Sequence, residues 1–172
     1  MKHELSQKQI VGNQKISSMC LVCGKDNPLS LHAQFYDLEG GELCAEFTTS
    51  DEHQSYPGRV HGGVISAILD EVIGRVIQTK YGDEVFGVTM ELTVKYRKPV
   101  PLGQTLRCVG RLDSRKGKVF SGSGEILLAD GTVCASATGK YMELDCDNIC
   151  EGGLTEDNWL EDTRPHPAQI SA

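Results

Sequence analysis

The stretch "YPGRVHGGVISAILDEVIG", residues 56–74, decides the fold and frames the chemistry. Tyr56-Pro57-Gly58 is a turn signal: proline presets φ at the second position of a type II turn, and glycine supplies the positive φ at the third. His61, Gly62 and Gly63 follow, and then a long apolar segment. Val64, Ile65, Ile68, Leu69, Val72, Ile73, Val76 and Ile77 recur at helical spacing and cover most of the circumference, the mark of a buried helix. The spacing predicts one helix over 62–79, roughly 27 Å long.

An acidic pair interrupts that segment. A buried carboxylate is costly unless it is paired, hydrogen-bonded or protonated. Ser66, Asp70, Gly74 and Gln78 are spaced four apart, so they share one narrow strip of the helix surface. Glu71 lies about 100° further round, where Arg75 is its partner one turn on. The two acids therefore have different surroundings. Asp70 is the one left for chemistry, and Glu71 is structural.

On either side the chain reads as strands. "LHAQFYDL" (31–38) and "LCAEFTTS" (43–50) flank the turn "EGGE" and make a hairpin. After the helix come "FGVTMELTVKYR" (86–97), "QTLRCVGRLDS" (104–114), "KVFSGSGEILLA" (118–129) and "TVCASATGKYMEL" (132–144). Short connections between them favour an antiparallel meander. Strands, one greasy helix and then strands bury that helix most simply by wrapping a curved antiparallel sheet around it, an α+β architecture.

The 172 residues suit a single domain with a real core, and no apolar run is long enough to cross a membrane. "MKHELSQKQI" lacks the apolar stretch of a signal peptide, so a cytoplasmic location is expected. Of the net charge of −7, residues 146–172 supply six acids against the single base Arg164. That segment reads as a solvated acidic tail in which Trp159 and Leu160 are available to dock on a neighbouring surface. Residues 1–18 read as a flexible leader, leaving 19–145 as the folded domain. No strongly basic face marks a nucleic-acid partner. The window 95–118 is locally basic (Lys95, Arg97, Lys98, Arg107, Arg111, Arg115, Lys116 and Lys118 against Asp113). It reads either as the solvent faces of two strands or as a seat for a phosphate-bearing ligand.

Seven cysteines without a secretion signal are expected to be reduced. Cys20 and Cys23 form a C-x-x-C, and Cys146 and Cys150 a second, looser pair. Together they suggest a four-sulfur zinc site. The absence of histidines at ligand spacing favours plain thiols, and no metal is expected.

At the start of the helix the first N–H groups lack internal partners and the dipole adds positive potential. Glycines leave those groups open, so Gly62 and Gly63 offer an oxyanion hole, and Asp70 two turns on is a candidate general base. A Gly-Gly pair on its own is only a turn, and His61 on its own only a local hydrogen-bonding group. Their fixed spacing to Asp70 is what makes the set specific.

The pattern His61-Gly62-Gly63, six residues, then Asp70 resembles the signature of the hotdog-fold acyl-CoA thioesterases, in their phenylacetate-pathway (PaaI-like) branch. "CLVCGKDNPLSLHAQFY" (20–36) and "VKYRKPVPLG" (94–103) add to the likeness, which spans about residues 20–145. The resemblance implies a sheet wrapped around the helix, and active sites where two subunits of a homodimer, or of a tetramer of paired dimers, meet. It implies that Gly62 polarises the thioester carbonyl, that Asp70 activates water or attacks directly, and that His61 positions the loop. Gly63 and Ser66 would face the substrate, and Arg97 and Lys98 the phosphates of coenzyme A, which enters as part of the substrate with no separate cofactor. Some relatives carry an asparagine six residues before the histidine. Here Ser55 stands there beside Gln54, a departure that bears on how the substrate is held. Three other functions compete. A protein that binds acyl-CoA without hydrolysing it would not need Asp70. A hydratase would need a differently placed His–acid pair, which the sequence does not contain. A zinc-linked interaction protein would rest on the cysteine pairs.

Overall fold

The computed structural model describes residues 2–172; Met1, part of the expected flexible leader, lies outside them. In chain order the elements are β1 (Gln7–Asn13), β2 (Ile16–Ser17), β3 (Gln34–Leu38), β4 (Leu43–Thr48), a 3₁₀ turn (Asp51–His53), α1 (Gly62–Arg75), α2 (Gln78–Tyr81), β5 (Phe86–Tyr96), β6 (Thr105–Lys116), β7 (Val119–Leu127), β8 (Val133–Leu144), α3 (Cys146–Ile149), β9 (Trp159–Leu160) and β10 (Gln169–Ser171). Among the described residues the main sheet is antiparallel, in the order β10-β1-β3-β4-β6-β7-β8-β5, with β2 and β9 paired separately. It curves around α1, which touches β4, β5, β6, β7 and β8. This is the hotdog fold.

The helix is buried for the reason its sequence gives. Ile65, Ile68, Leu69, Val72 and Ile73 lose nearly all contact with solvent and pack on Phe35, Phe47, Leu106, Phe120, Ile126 and Tyr141. It is shorter than its apolar pattern predicts. After Arg75 the chain tightens, because the Thr79 hydroxyl donates to the Val76 carbonyl at 2.8 Å and competes with the regular ladder. A separate turn, α2, completes the segment and ends at Gly82, whose φ is +91°.

Three expectations change. The strands after the helix do not form one continuous meander: β6, β7 and β8 do, but β5 pairs with β8 and lies at the sheet edge. Pro99 and Pro101 exclude a tight hairpin between β5 and β6. The connection crosses instead past the site loop, where Val60 N–H donates to the Val100 carbonyl at 3.0 Å. The leader is not loose either, since residues 7–13 pair with β3 and β10. Its polar composition hides a strand held by backbone bonds rather than by burial. Nor is the acidic segment a solvated appendage. Ile170 is buried against Tyr36 and Leu38, and Trp159 meets Phe86 edge-on, centroids 5.8 Å apart. Asp162, with only 7 % of its surface exposed, takes two bonds from the Arg164 guanidinium, which itself donates to the His32 and Ala33 carbonyls.

No helix among the described residues is long and apolar enough to cross a membrane.

Candidate active site

The turn before the helix has the geometry its residues call for. Arg59 N–H donates to the Tyr56 carbonyl at 2.9 Å, and Gly58 carries φ +74°, a type II turn. The loop is anchored from behind by His53, which is buried. Its Nδ1 accepts from Ser50 N–H at 3.0 Å, so its Nε2 carries the proton donated to the Leu29 carbonyl. His61 N–H in turn donates to the His53 carbonyl at 2.8 Å.

His61 caps α1, its Nδ1 accepting from Gly63 N–H at 2.9 Å. That bond satisfies Gly63 and leaves the Gly62 N–H without a partner among the described residues, at the positive end of the helix dipole. The hydroxyls of Ser66 and Tyr96 lie 2.7 Å apart, and both reach the Gly62 carbonyl. The first turn of the helix is thus held through the Gly62 carbonyl, while the N–H of the preceding peptide, that of Gly62, is left free among the described residues.

Asp70 is half-buried and doubly held. Thr89 donates to both carboxylate oxygens, at 2.9 and 3.1 Å. The Tyr141 hydroxyl reaches Oδ1 at 3.0 Å and the Asp70 carbonyl at 3.1 Å. Thr89 and Tyr141 are register partners on β5 and β8, next to a bulge at Met90. Facing positions on two neighbouring strands therefore converge on one carboxylate, and bulges commonly re-aim side chains beside functional sites. Burial, and then the nearby Asp70 charge, hold the Tyr141 phenol well above its usual range, so it remains a donor. Gly74 makes room for the ring, since a Cβ there would stand 3.1 Å from Tyr141 Cε1. Spacing along the helix points to Asp70 and Gly74. It says nothing of Thr89, Tyr141, Tyr96 or His53, which come from strands and loops that meet the helix only in the fold.

Glu71 is occupied as its spacing predicts. Arg75 donates to it at 2.7 Å. The Arg75 guanidinium also lies 4.4 Å from the Phe35 ring centroid and 4.8 Å from that of Trp159, and donates to the Lys15 carbonyl.

The remaining candidates are spread out. Gln54 Oε1 accepts from Gly58 N–H at 2.8 Å and shapes the exposed loop rather than pointing into it. Ser55 is exposed beside it. Arg97 is exposed and donates to Ser136, while Lys98 has no charged partner among the described residues. In the basic window, Arg107, Arg111 and Arg115 are each paired with glutamates, which leaves Lys95, Arg97 and Lys98 at the end of β5, and Lys116 and Lys118 at the β6–β7 turn, without an ion-pair partner among the described residues. The cysteine pairs do not assemble into a four-sulfur group: Cys20 and Cys23 gather with Glu71, without Cys146 and Cys150.

Beside Asp70 lies a groove of about 210 Å³, walled by Gly74, Phe86, Tyr141 and Trp159. A larger cavity of about 660 Å³ lies by Cys23 and Arg164 and touches neither Asp70 nor Gly62. The chemistry, not the size, picks out the smaller one.

Residues 57–135 match the family model described as the thioesterase superfamily, a span that holds both His61-Gly62-Gly63 and Asp70. The chain is 29 % identical over 115 residues to the acyl-coenzyme A thioesterase THEM4 of Mus musculus, covering 66 % of this chain and 48 % of the mouse protein. A crystal structure described as a thioesterase superfamily protein is 34 % identical with a TM-score of 0.65, covering 72 % of this chain and 59 % of that one. The crystal structure of a phenylacetic acid degradation-related protein of Ralstonia eutropha is 27 % identical with a TM-score of 0.58, covering 65 % and 85 %. The chain thus spans about half the length of the mouse relative and less than two thirds of the first crystallised one.

Proposed function

We infer that the chain hydrolyses an acyl-CoA thioester to a free acid and coenzyme A, in the manner of the phenylacetate-pathway branch, at a site completed by a second copy of itself. The observation that carries this reading is the Asp70 carboxylate, fixed by Thr89 and Tyr141 beside a small groove, on the same helix whose Gly62 N–H has no partner among the described residues. A pure binding protein has no use for a carboxylate so restrained. The activity in the mouse relative's name supports the substrate class.

The chemistry follows from the parts. Asp70 orients a water and takes its proton as the oxygen attacks the thioester carbonyl. The developing oxyanion receives the Gly62 N–H and the helix dipole. Collapse breaks the C–S bond, and the departing thiolate recovers the proton from Asp70. Coenzyme A is part of the substrate, and no separate cofactor takes part in this reading. Lys95, Arg97 and Lys98 supply the positive charge that its phosphates call for.

Two copies are needed because of distance. Gly62 and Asp70 are eight residues apart on one helix, about 12 Å along its axis. An oxyanion donor and a base acting on one carbonyl must each lie about 3 Å from the reacting atoms. A two-fold partner resolves this by bringing its own Asp70 to the first helix's N-terminus. The long outer strand β5, beside Asp70, carries exposed Val88 and Met90 and, among the described residues, has a free edge suited to such pairing. A homodimer, or a dimer of dimers, is the assembly this reading requires.

A panel of aliphatic and aromatic acyl-CoA esters, followed with a thiol-detecting reagent, tests it. Turnover of at least one ester supports hydrolysis. Tight binding of the whole panel with no thiol released would instead make this a ligand-binding member of the superfamily.

A further inference from the structure

Cys20 and Cys23 are built into more than a turn. Gly24 N–H closes the loop onto the Cys20 carbonyl at 2.8 Å, and a Cβ at position 24 would stand 2.2 Å from that oxygen, so only glycine fits. Val22 N–H points at the Cys20 sulfur at 3.3 Å, and Ser17 N–H at the Cys23 sulfur at 3.4 Å. The Arg75 Nη2 donates to Cys23 at 3.4 Å. The two sulfurs and a Glu71 oxygen lie within 4.8 Å of one another. Cys23 is 1 % exposed, whereas Cys20 is open to solvent on one side.

A divalent metal fits this cluster poorly. Arg75 holds the Glu71 oxygen at 2.7 Å and touches Cys23, so a cation already occupies the place a metal would share. The same charge suits a thiolate. We propose that Cys20 and Cys23 form a redox-active dithiol, with the accessible Cys20 as attacking thiolate and the buried Cys23 as resolving thiol, oxidised by low-molecular-weight disulfides.

The steps balance. The Cys20 thiolate attacks one sulfur of the external disulfide, forming a mixed disulfide and expelling one thiolate. Cys23 gives up its proton and attacks the Cys20 sulfur, closing the internal disulfide and expelling the second thiol. The pair loses two electrons, and the external disulfide gains them as two thiols. Two turn residues separate the cysteines, which keeps their Cα atoms under about 7 Å, a span a disulfide can bridge after rotation of the side chains. The hydrogen bond from Cys23 pulls the Cys20 thiol down, against the effect of burial, which favours Cys20 as the attacking thiolate. The same bond, followed by burial, pushes Cys23 up. Burial also raises Cys44, Cys108 and Cys134, which keeps them inert.

Full-length protein is exposed to glutathione disulfide near neutral pH, and its peptides are mapped by mass spectrometry before and after dithiothreitol. The expected result is a loss of two hydrogens located to a Cys20–Cys23 bond and reversed by the reductant. Cys23→Ser should instead retain one glutathione, on Cys20. Because that substitution puts a hydroxyl into a buried site, the unaltered protein carries the decision. A stable glutathione adduct on Cys20 of the unaltered protein would overturn the proposal. So would oxidation of Cys146 and Cys150 with Cys20 and Cys23 left free, or a stoichiometric divalent metal in the purified protein released by loss of these thiols.

Discussion

Tyr141→Phe removes one hydroxyl and leaves the rest of the side chain in place. The ring stays stacked on Phe120, centroids 5.1 Å apart and 15° from parallel, and still fills the space that Gly74 leaves. Lost are the contacts to Asp70 Oδ1 at 3.0 Å and to its carbonyl at 3.1 Å. A hydrogen bond to a charged group contributes about 1.5–3 kcal/mol. Asp70 is only half-buried and keeps both contacts from Thr89, so the loss belongs near the lower end. In a chain of this length each kcal/mol moves the midpoint of thermal unfolding by about 2–4 °C, which makes the expected fall about 3–6 °C. Turnover should fall by about tenfold, since a carboxylate held on one side only spends less time aligned on its water, and tenfold corresponds to about 1.4 kcal/mol. KM should change little. Thiol release from a well-turned-over acyl-CoA, with calorimetry on the same preparation, measures both. Unchanged kcat in a folded variant refutes the claim that Tyr141 positions the base. A loss as large as that from removing the carboxylate itself would show that the hydroxyl takes part in the chemistry.

Arg75→Ala should cost about 3–5 kcal/mol, because it leaves the partly buried Glu71 carboxylate and the Lys15 carbonyl without their donor and opens a gap between Phe35 and Trp159. A urea unfolding curve displaced by less than about 1 kcal/mol would contradict that packing. Burial raises the Asp162 carboxyl, but the bonds and charge of Arg164 outweigh it and hold it below the ordinary 3.8. Its stabilisation is therefore complete at neutral pH and lost as pH falls through and below that value. The emission of Trp159, the only tryptophan, should report the C-terminal segment loosening in that window, and an Asp162→Asn protein should lack the transition. Light scattering at micromolar concentration should give a dimer or tetramer, and charging the β5 edge with Met90→Lys should weaken both association and turnover. A monomeric, fully active parent would remove the need for a shared site.

The fold was legible where burial wrote a pattern. Helical spacing over 62–79 comes from side chains that must face a core, and with the turn residues and short connections between the β-like runs it pointed to α1, the sheet and the Glu71–Arg75 pair. The outer strand β1 left no such trace: Gln7-Lys8-Gln9 is polar because its strand is held by backbone bonds at the sheet margin. The docking of the acidic segment was equally hidden, since it depends on Trp159 meeting Phe86 and Arg75 across more than 70 positions of sequence. In the site, Asp70 stood out because a carboxylate on an apolar helix needs a reason. Thr89 and Tyr141 are ordinary residues in ordinary strands, and only the β5–β8 register makes them its partners. The position of β5 was misread because short connections suggest hairpins, and the two prolines in that connection were the signal against one.

The central claim is that Asp70 carries the hydrolysis and Glu71 the packing. Thiol release from a single good acyl-CoA substrate, compared on matched preparations of the parent, Asp70→Asn and Glu71→Gln proteins, tests it directly. Asp70→Asn keeps the shape of the side chain and removes the base, so turnover should fall by roughly 10²–10⁴-fold, while Glu71→Gln should keep most of its activity and lose stability. Undiminished turnover with asparagine at position 70, or its abolition by Glu71→Gln alone, would contradict the account.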